Sequence, residues 1–166
     1  MESLVTKGYV KHLGISNFNG QTIMDLLTYC KIKPVALQIE LHPYLPNTPL
    51  VELAQKNGIH VIAYSPLVRG HNLNRGDDID ILKEDAINDV ANKHGKTPAQ
   101  VVLKTSLQRG IGVIPRTANP ARLQENYESW TFELGEDDWK KIRPLARGYR
   151  VCTGDFHFRT YSVFDN

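Results

Sequence analysis

The chain reads as an α/β domain built on parallel strands, and three observations carry that prediction. Short runs rich in β-branched residues alternate with helical stretches, a rhythm that joins parallel strands by right-handed crossovers. Two of the runs are nearly unbroken in apolar residues, as expected for strands covered on both faces. No G-x-G-x-x-G turn follows the first run, which favours a (β/α) barrel over an open dinucleotide-binding sheet.

The elements follow in order. YVKHLGIS (9–16) is the first strand, and Asn19 is placed to cap the helix through IMDLLTYC. PVALQIEL (34–41) is the second strand; Thr48 with Pro49 opens the helix PLVELAQKN, which Gly58 closes. IHVIAYSP (59–66) is the third strand, followed by a helical segment from Lys83 to His94. Thr97, Pro98 and Gln100 form a capping box with proline at the first helical position, and Gly110 ends that helix. GIGVIP (110–115) is the fourth strand, Asn119 and Pro120 open ARLQENYES, and a last helix runs from Glu136 to Arg143 before Pro144. Eight-unit barrels need about 200 residues or more, and these 166 residues supply four units. The expected architecture is therefore half of a (β/α)8 barrel of TIM type with two unpaired strand edges. It is one domain over 1–166, with 148–166 as a carboxyl-terminal tail.

Bulk composition narrows the function. Lys plus Arg number 20 against 18 for Asp plus Glu, a net charge of +2, too balanced for a nucleic-acid-wrapping or polybasic membrane protein. No run approaches the roughly 18 apolar residues of a membrane span, and Met1 to Gly8 lacks the apolar run of a secretory signal. Cys30 and Cys152 are far apart, with neither a C-x-x-C nor a metal-ligand spacing. A reducing, cytoplasmic setting is the expectation.

Five strings carry a family resemblance: GYVKHLGISNFN, LQIELHPYLP, HVIAYSPL, KTPAQVVLKTSLQRGIGVIPRT and NPARLQENYESWTFEL. In this order and spacing, from Met1 to about Cys152, they resemble signatures of the aldo-keto reductases, closest to the aldose and xylose reductase type. The resemblance implies a (β/α)8 barrel that reduces aldehydes and ketones to alcohols with NADPH lying across the strand carboxyl ends. It covers the carboxyl-terminal half, from the end of the fourth helix onward. The family's catalytic Asp, Tyr, Lys and His belong to the first four strands, and no matching motif occurs here, so no residue is assigned as catalytic. The implied function is NADPH-dependent carbonyl reduction, represented by its cofactor-binding half. The alternatives are an inactive NADP(H)-binding half-barrel and an assembly protein needing a partner half. A small carbonyl compound is the implied substrate, and a homodimer or complementing half-barrel would pair through the strand edges.

Ser16 and Asn17, at the end of the first strand, match the family pair that hydrogen-bonds the nicotinamide carboxamide, and Asn19 leaves Asn17 free of capping duty. Gln38 offers that carboxamide both a donor and an acceptor. Glu40 and His42 beside it suggest a metal, but no third ligand stands at suitable spacing and none is expected. Tyr64 closes the third strand, where a flat ring can lie against the nicotinamide and leave one face for the substrate. Ser65, Pro66 and Leu67 match the family loop over the pyrophosphate, although VRGHNLNRGDD (68–78) is more basic than that loop.

After the fourth strand, Arg116, Thr117 and Arg122 surround a helix start. Helix amino ends favour anions, and many barrels seat phosphate after strands seven and eight. These residues are expected to hold the 2′-phosphate of NADP through guanidinium forks. Arg116 stands where relatives usually have lysine. The resemblance places Glu125 and Asn126 at the adenine edge. In the tail, Phe156, Phe158, Tyr161 and Phe164 stand as a carbonyl pocket wall, as packing on the barrel's outside, or as residues without a fixed place. Cys152 stands as a pocket neighbour or a bystander.

Overall fold

A computed structural model describes residues 1–68 and 79–152. A short helix, α1 (Glu2–Thr6), adds to the expected elements, and Glu2 docks it by accepting the backbone N–H of Lys31 at 2.6 Å and of Ile32 at 2.8 Å. Then come β1 (Gly14–Ser16), α2 (Gly20–Tyr29), β2 (Ala36–Glu40), α3 (Thr48–Lys56) and β3 (His60–Tyr64). The second part holds α4 (Asp85–His94), α5 (Pro98–Leu107), β4 (Gly112–Val113), α6 (Pro120–Tyr127) and α7 (Glu136–Ile142), with 3-10 turns at Ile81–Lys83, Glu128–Trp130 and Arg143–Leu145. Each expected strand is present but shorter than its apolar run.

The local signals explain most boundaries. Asn19 caps α2 by accepting from the Thr22 N–H at 2.8 Å. At α5 the capping box is complete: Thr97 Oγ1 accepts the Gln100 N–H, and Gln100 Oε1 accepts the Thr97 N–H. Thr97→Ala is expected to cost about 1–2 kcal/mol, since it removes one cap bond; urea unfolding would read the loss. Asn119 caps α6 through the Ala121 N–H at 2.9 Å. Thr48 departs from expectation: it is the first residue inside α3, and the preceding cap position belongs to Asn47. Asparagine tolerates the left-handed conformation required there (φ 45), and its Nδ2 donates to the Glu40 carbonyl at 2.9 Å. The segment from Lys83 to His94 is also broken, because Glu84 is extended between the 3-10 turn and α4.

The four strands are all parallel and lie in sequential order, so β1 and β4 are the sheet's edges. Sequential order with right-handed crossovers puts the connecting helices on one face, as in a barrel and unlike a doubly wound sheet. That face carries Ile15, Leu37, Ile39, Val61, Ala63 and Val113, packed with Ile23 of α2 and Val51 and Ala54 of α3. A second core joins α4, α5 and α7 through Ile87, Val90, Val101, Val102 and Ile142. Every residue of α5 from Gln100 to Leu107 is buried.

Alternation sends Ser16, Gln38, Glu40, Ile62, Tyr64 and Gly112 to the opposite, inner face. Here the expectation that the third and fourth strands are covered on both faces is corrected. Ile62 and Tyr64 are half-buried and Gly112 is exposed, because among the described residues the helix-side face is packed along its length and the inner face only around Glu40. The architecture is half of a (β/α)8 barrel: four units whose inner face, among the described residues, is covered only in part, beside Glu40.

Candidate functional site at the strand carboxyl ends

Register builds the first group of side chains. Ser16, Gln38, Ile62 and Gly112 stand side by side across the sheet, and Glu40 stands beside Tyr64 one step nearer the carboxyl ends. The Gln38 carbonyl accepts two bonds from the end of β1: Ser16 Oγ at 3.0 Å and the Asn17 N–H at 2.9 Å. Asn17 then turns left-handed (φ 58), a conformation asparagine bears with little strain. This brings its Oδ1 to accept the Tyr64 hydroxyl at 3.1 Å, across 47 sequence positions. Four of the expected residues are thereby joined directly. Meanwhile the Gln38 side-chain amide makes no hydrogen bond within the described residues, which leaves a donor pair and an acceptor on the inner face.

Tyr64 is suited to stay neutral. Burial, reinforced by Cys152 and Glu40 nearby, pushes its phenol up to about 12 against the opposing effects of Arg150 and the Asn17 bond. Its hydroxyl is a donor, and its half-buried ring is the flat surface of the site. After it Ser65 is left-handed (φ 49), and its carbonyl accepts the Val68 N–H at 3.0 Å, a tight turn that carries Leu67 onto the second core. The stretch 69–78, where the sequence departs from the family loop, lies outside the described residues, as do Phe156, Phe158, Tyr161 and Phe164 of the tail.

The second group leaves from β4. Ile114 extends the pairing, its N–H donating to the Ala63 carbonyl at 3.2 Å, so the chain passes beside Tyr64 and Ser65 before α6 begins. Thr117 Oγ1 accepts the Asn119 N–H at 3.1 Å and sets the turn into the helix. Arg116 and Arg122 are both exposed, and neither makes an ion pair or hydrogen bond within the described residues. Two unpaired cations beside the positive end of a helix repel it mildly until an anion arrives.

Glu125 is held within the protein by two hydrogen bonds. Its Oε1 accepts the Thr97 hydroxyl at 2.5 Å and its carbonyl accepts Gln100 Nε2 at 3.0 Å, so it joins α6 to the start of α5. Asn126 beside it is half-buried. Glu40, for which no metal was expected, receives hydrogen bonds from His42 and from two backbone N–H groups near residue 151. Nothing local in the sequence signals those backbone partners. A cavity of about 580 Å³ between α3, α5 and α7, lined by Pro46, Arg109, Trp139 and Arg143 among others, shares no residue with either group.

Comparison with known proteins bears on the chain's family and fold. The Aldo/keto reductase family model matches residues 1–147. Aldose reductase B of Dictyostelium discoideum is 44% identical over 153 residues, which is 92% of this chain and 47% of that protein. The NAD(P)H-dependent D-xylose reductase of Aspergillus niger is 47% identical over 155 residues, 90% of this chain and 49% of that protein. Among solved structures, aldose reductase from Schistosoma japonicum superposes with a TM-score of 0.85 at 36% identity, covering 98% of this chain and 50% of that one. The chain spans about half the length of the curated relatives it matches.

Proposed function

The chain belongs to the aldo/keto reductase family, and from that premise we propose that it is the cofactor-holding half of an NADPH-dependent carbonyl reductase. The observation that carries this reading is the cluster in which Ser16 and Asn17 meet the Gln38 carbonyl while Tyr64 meets Asn17. NADPH, when bound, supplies the hydride for an aldehyde or ketone carbon. The fit rests on what the residues have to spare. Gln38 has an unspent amide for the nicotinamide carboxamide, and the Tyr64 ring offers a fixed flat face on the same side of the sheet. Arg116, Thr117 and Arg122 would take the 2′-phosphate, a role supported by two cations without partners among the described residues. Glu125, already held by Thr97, would shape the adenine edge through its position more than its charge, with Asn126 beside it.

The chain's own residues do not supply the proton in this reading. Tyr64 holds its proton to about pH 12 and directs it at Asn17, so the acid would come from strands closing the inner face. Such strands would pair with the open edges of β1 and β4, whether they belong to a longer chain, a complementing half or a second copy. A second reading, an NADP(H)-holding module without turnover, uses the same cluster and is favoured by that commitment of the Tyr64 hydroxyl.

Fluorescence titration of the chain with NADPH is expected to show saturable binding. Tyr64→Ala should weaken it about tenfold, roughly the worth of a lost ring contact. Wild-type chain that does not bind NADPH, or Tyr64→Ala with unchanged affinity, refutes the assignment. Adding a generic aldehyde separates the two readings, since only a reductase consumes the bound NADPH.

A further inference from the structure

The inner face of β2 carries a carboxylate that cofactor holding leaves unused. Glu40 is completely buried, two residues beyond Gln38 on the same side of the strand, with Tyr64 as its register partner. Its Oε1 accepts the Val151 N–H at 2.6 Å and His42 Nε2 at 2.9 Å, and its Oε2 accepts the Cys152 N–H at 2.8 Å. Burial pushes this carboxyl up, but the bonds from His42, Val151 and Cys152 prevail and hold it below the ordinary carboxylate range. A buried carboxylate is costly unless its lone pairs are filled. Here two of the partners are backbone N–H groups 111 and 112 positions away.

The neighbouring contacts continue along the same 147–152 segment. The Arg147 N–H donates to the Tyr44 carbonyl at 3.2 Å, while its guanidinium lies 3.8 Å over the Tyr44 ring and donates to Glu84 at 3.0 Å. Tyr149 meets the Tyr44 ring edge-on at 6.2 Å. Residues 147, 149 and 151 thus each grip the stretch from Glu40 to Tyr44, on either side of the left-handed turn at Gly148 (φ 66). Arg150 and Cys152 lie near enough to Tyr64 to bear on its phenol.

We propose that Glu40 is a positioning residue: its carboxylate latches the 147–152 segment to the end of β2, fixing the wall beside Tyr64 and with it the seat of the cofactor's nicotinamide end. The proposal rests on reading the Ser16–Tyr64 cluster as that seat. Glutamine has nearly the same shape but offers an NH₂ where an acceptor is needed, so it cannot fill all three bonds.

Hydrogen exchange and ligand titration test the latch together. In the wild-type chain the Val151 and Cys152 amides should exchange as slowly as those of β2; fast exchange overturns the latch without any variant. In Glu40→Gln both amides should exchange about ten- to hundredfold faster, the range for a lost hydrogen bond to a charged group, while β2 amides stay protected. NADPH affinity should fall about tenfold while the adenosine 2′-phosphate fragment, seated at the far end, binds unchanged. A general loss of stability would move both ligands and all amides, and that pattern overturns the positioning role. Faster exchange with unchanged NADPH affinity overturns it too and leaves the cofactor reading standing. Wild-type chain that fails to bind NADPH removes the cofactor reading and with it the positioning role, and exchange still decides the latch as a contact.

Discussion

Asp138→Ala is expected to destabilise the fold by about 2.5–4 kcal/mol, from the loss of a helix cap together with hydrogen bonds to a buried charge. Asp138 is 2% exposed in the first turn of α7. Its Oδ1 accepts Lys93 Nζ at 2.7 Å, and its Oδ2 accepts His94 Nε2 at 2.8 Å and the Gly135 N–H at 2.9 Å. One carboxylate therefore closes the start of α7 and ties it to the last turn of α4. Alanine leaves the Gly135 N–H without its cap and removes the anion facing two basic side chains. Burial alone would push the Asp138 carboxyl up, but Lys93, His94 and Gly135 together hold it down at about 2, against 3.8 for an unperturbed aspartate. A folded-state value below the unfolded one means the stabilisation is complete above about pH 4 and lost as pH falls toward about 2. Urea midpoints followed across that range should drop steeply in wild type, and more gently in Asp138→Asn, which has no carboxyl to titrate. Parallel curves for the two proteins contradict this account.

What the sequence could reveal divides along contact distance. Asn19, the Thr97–Gln100 box and Asn119 signal their helices because cap and partner lie within three residues. The strands were legible as β-branched runs, and parallel order followed from alternation with helices. Ser16, Asn17, Gln38 and Tyr64 were grouped through the family resemblance, and the sheet register brings the strand ends that carry them together. Glu125 and Asp138 were not legible in their observed roles, since their partners lie 28 and 44–45 positions away with no local pattern between them. Glu40 is the sharper case. The sequence excluded a metal role for want of a third ligand but assigned it nothing in its place, and the carboxylate is filled by His42 and two distant backbone N–H groups. Coverage of β3 was misjudged for another reason: Ile62 and Tyr64 are apolar enough for a filled barrel, and half a barrel leaves them partly open.

The double variant Arg116→Ala/Arg122→Ala is expected to weaken NADPH binding about a hundredfold or more and to leave NADH binding nearly unchanged. Each guanidinium would lose charge-assisted hydrogen bonds to the 2′-phosphate worth about 1.5–3 kcal/mol, or roughly ten- to hundredfold in affinity. The reasoning begins from what both side chains lack: each is exposed and makes no ion pair or hydrogen bond within the described residues. A surface arginine held for stability would be expected to meet a carboxylate, and Arg143 and Arg147 do so with Glu136 and Glu84. Arg122, in the first turn of α6, also sits at the helix end where its charge is least favoured. An arriving phosphate would reverse both penalties, since it satisfies the guanidinium forks and neutralises the positive helix end. The dependence should then be electrostatic. NADPH affinity of the wild type should fall as ionic strength rises, while the double variant responds little. Arg122→Lys should recover part of the loss, because it keeps the charge without the two-pronged geometry. Titrating both cofactors against the three proteins decides the matter: equal losses for NADPH and NADH would move the phosphate seat away from α6 and leave only the nicotinamide cluster assigned.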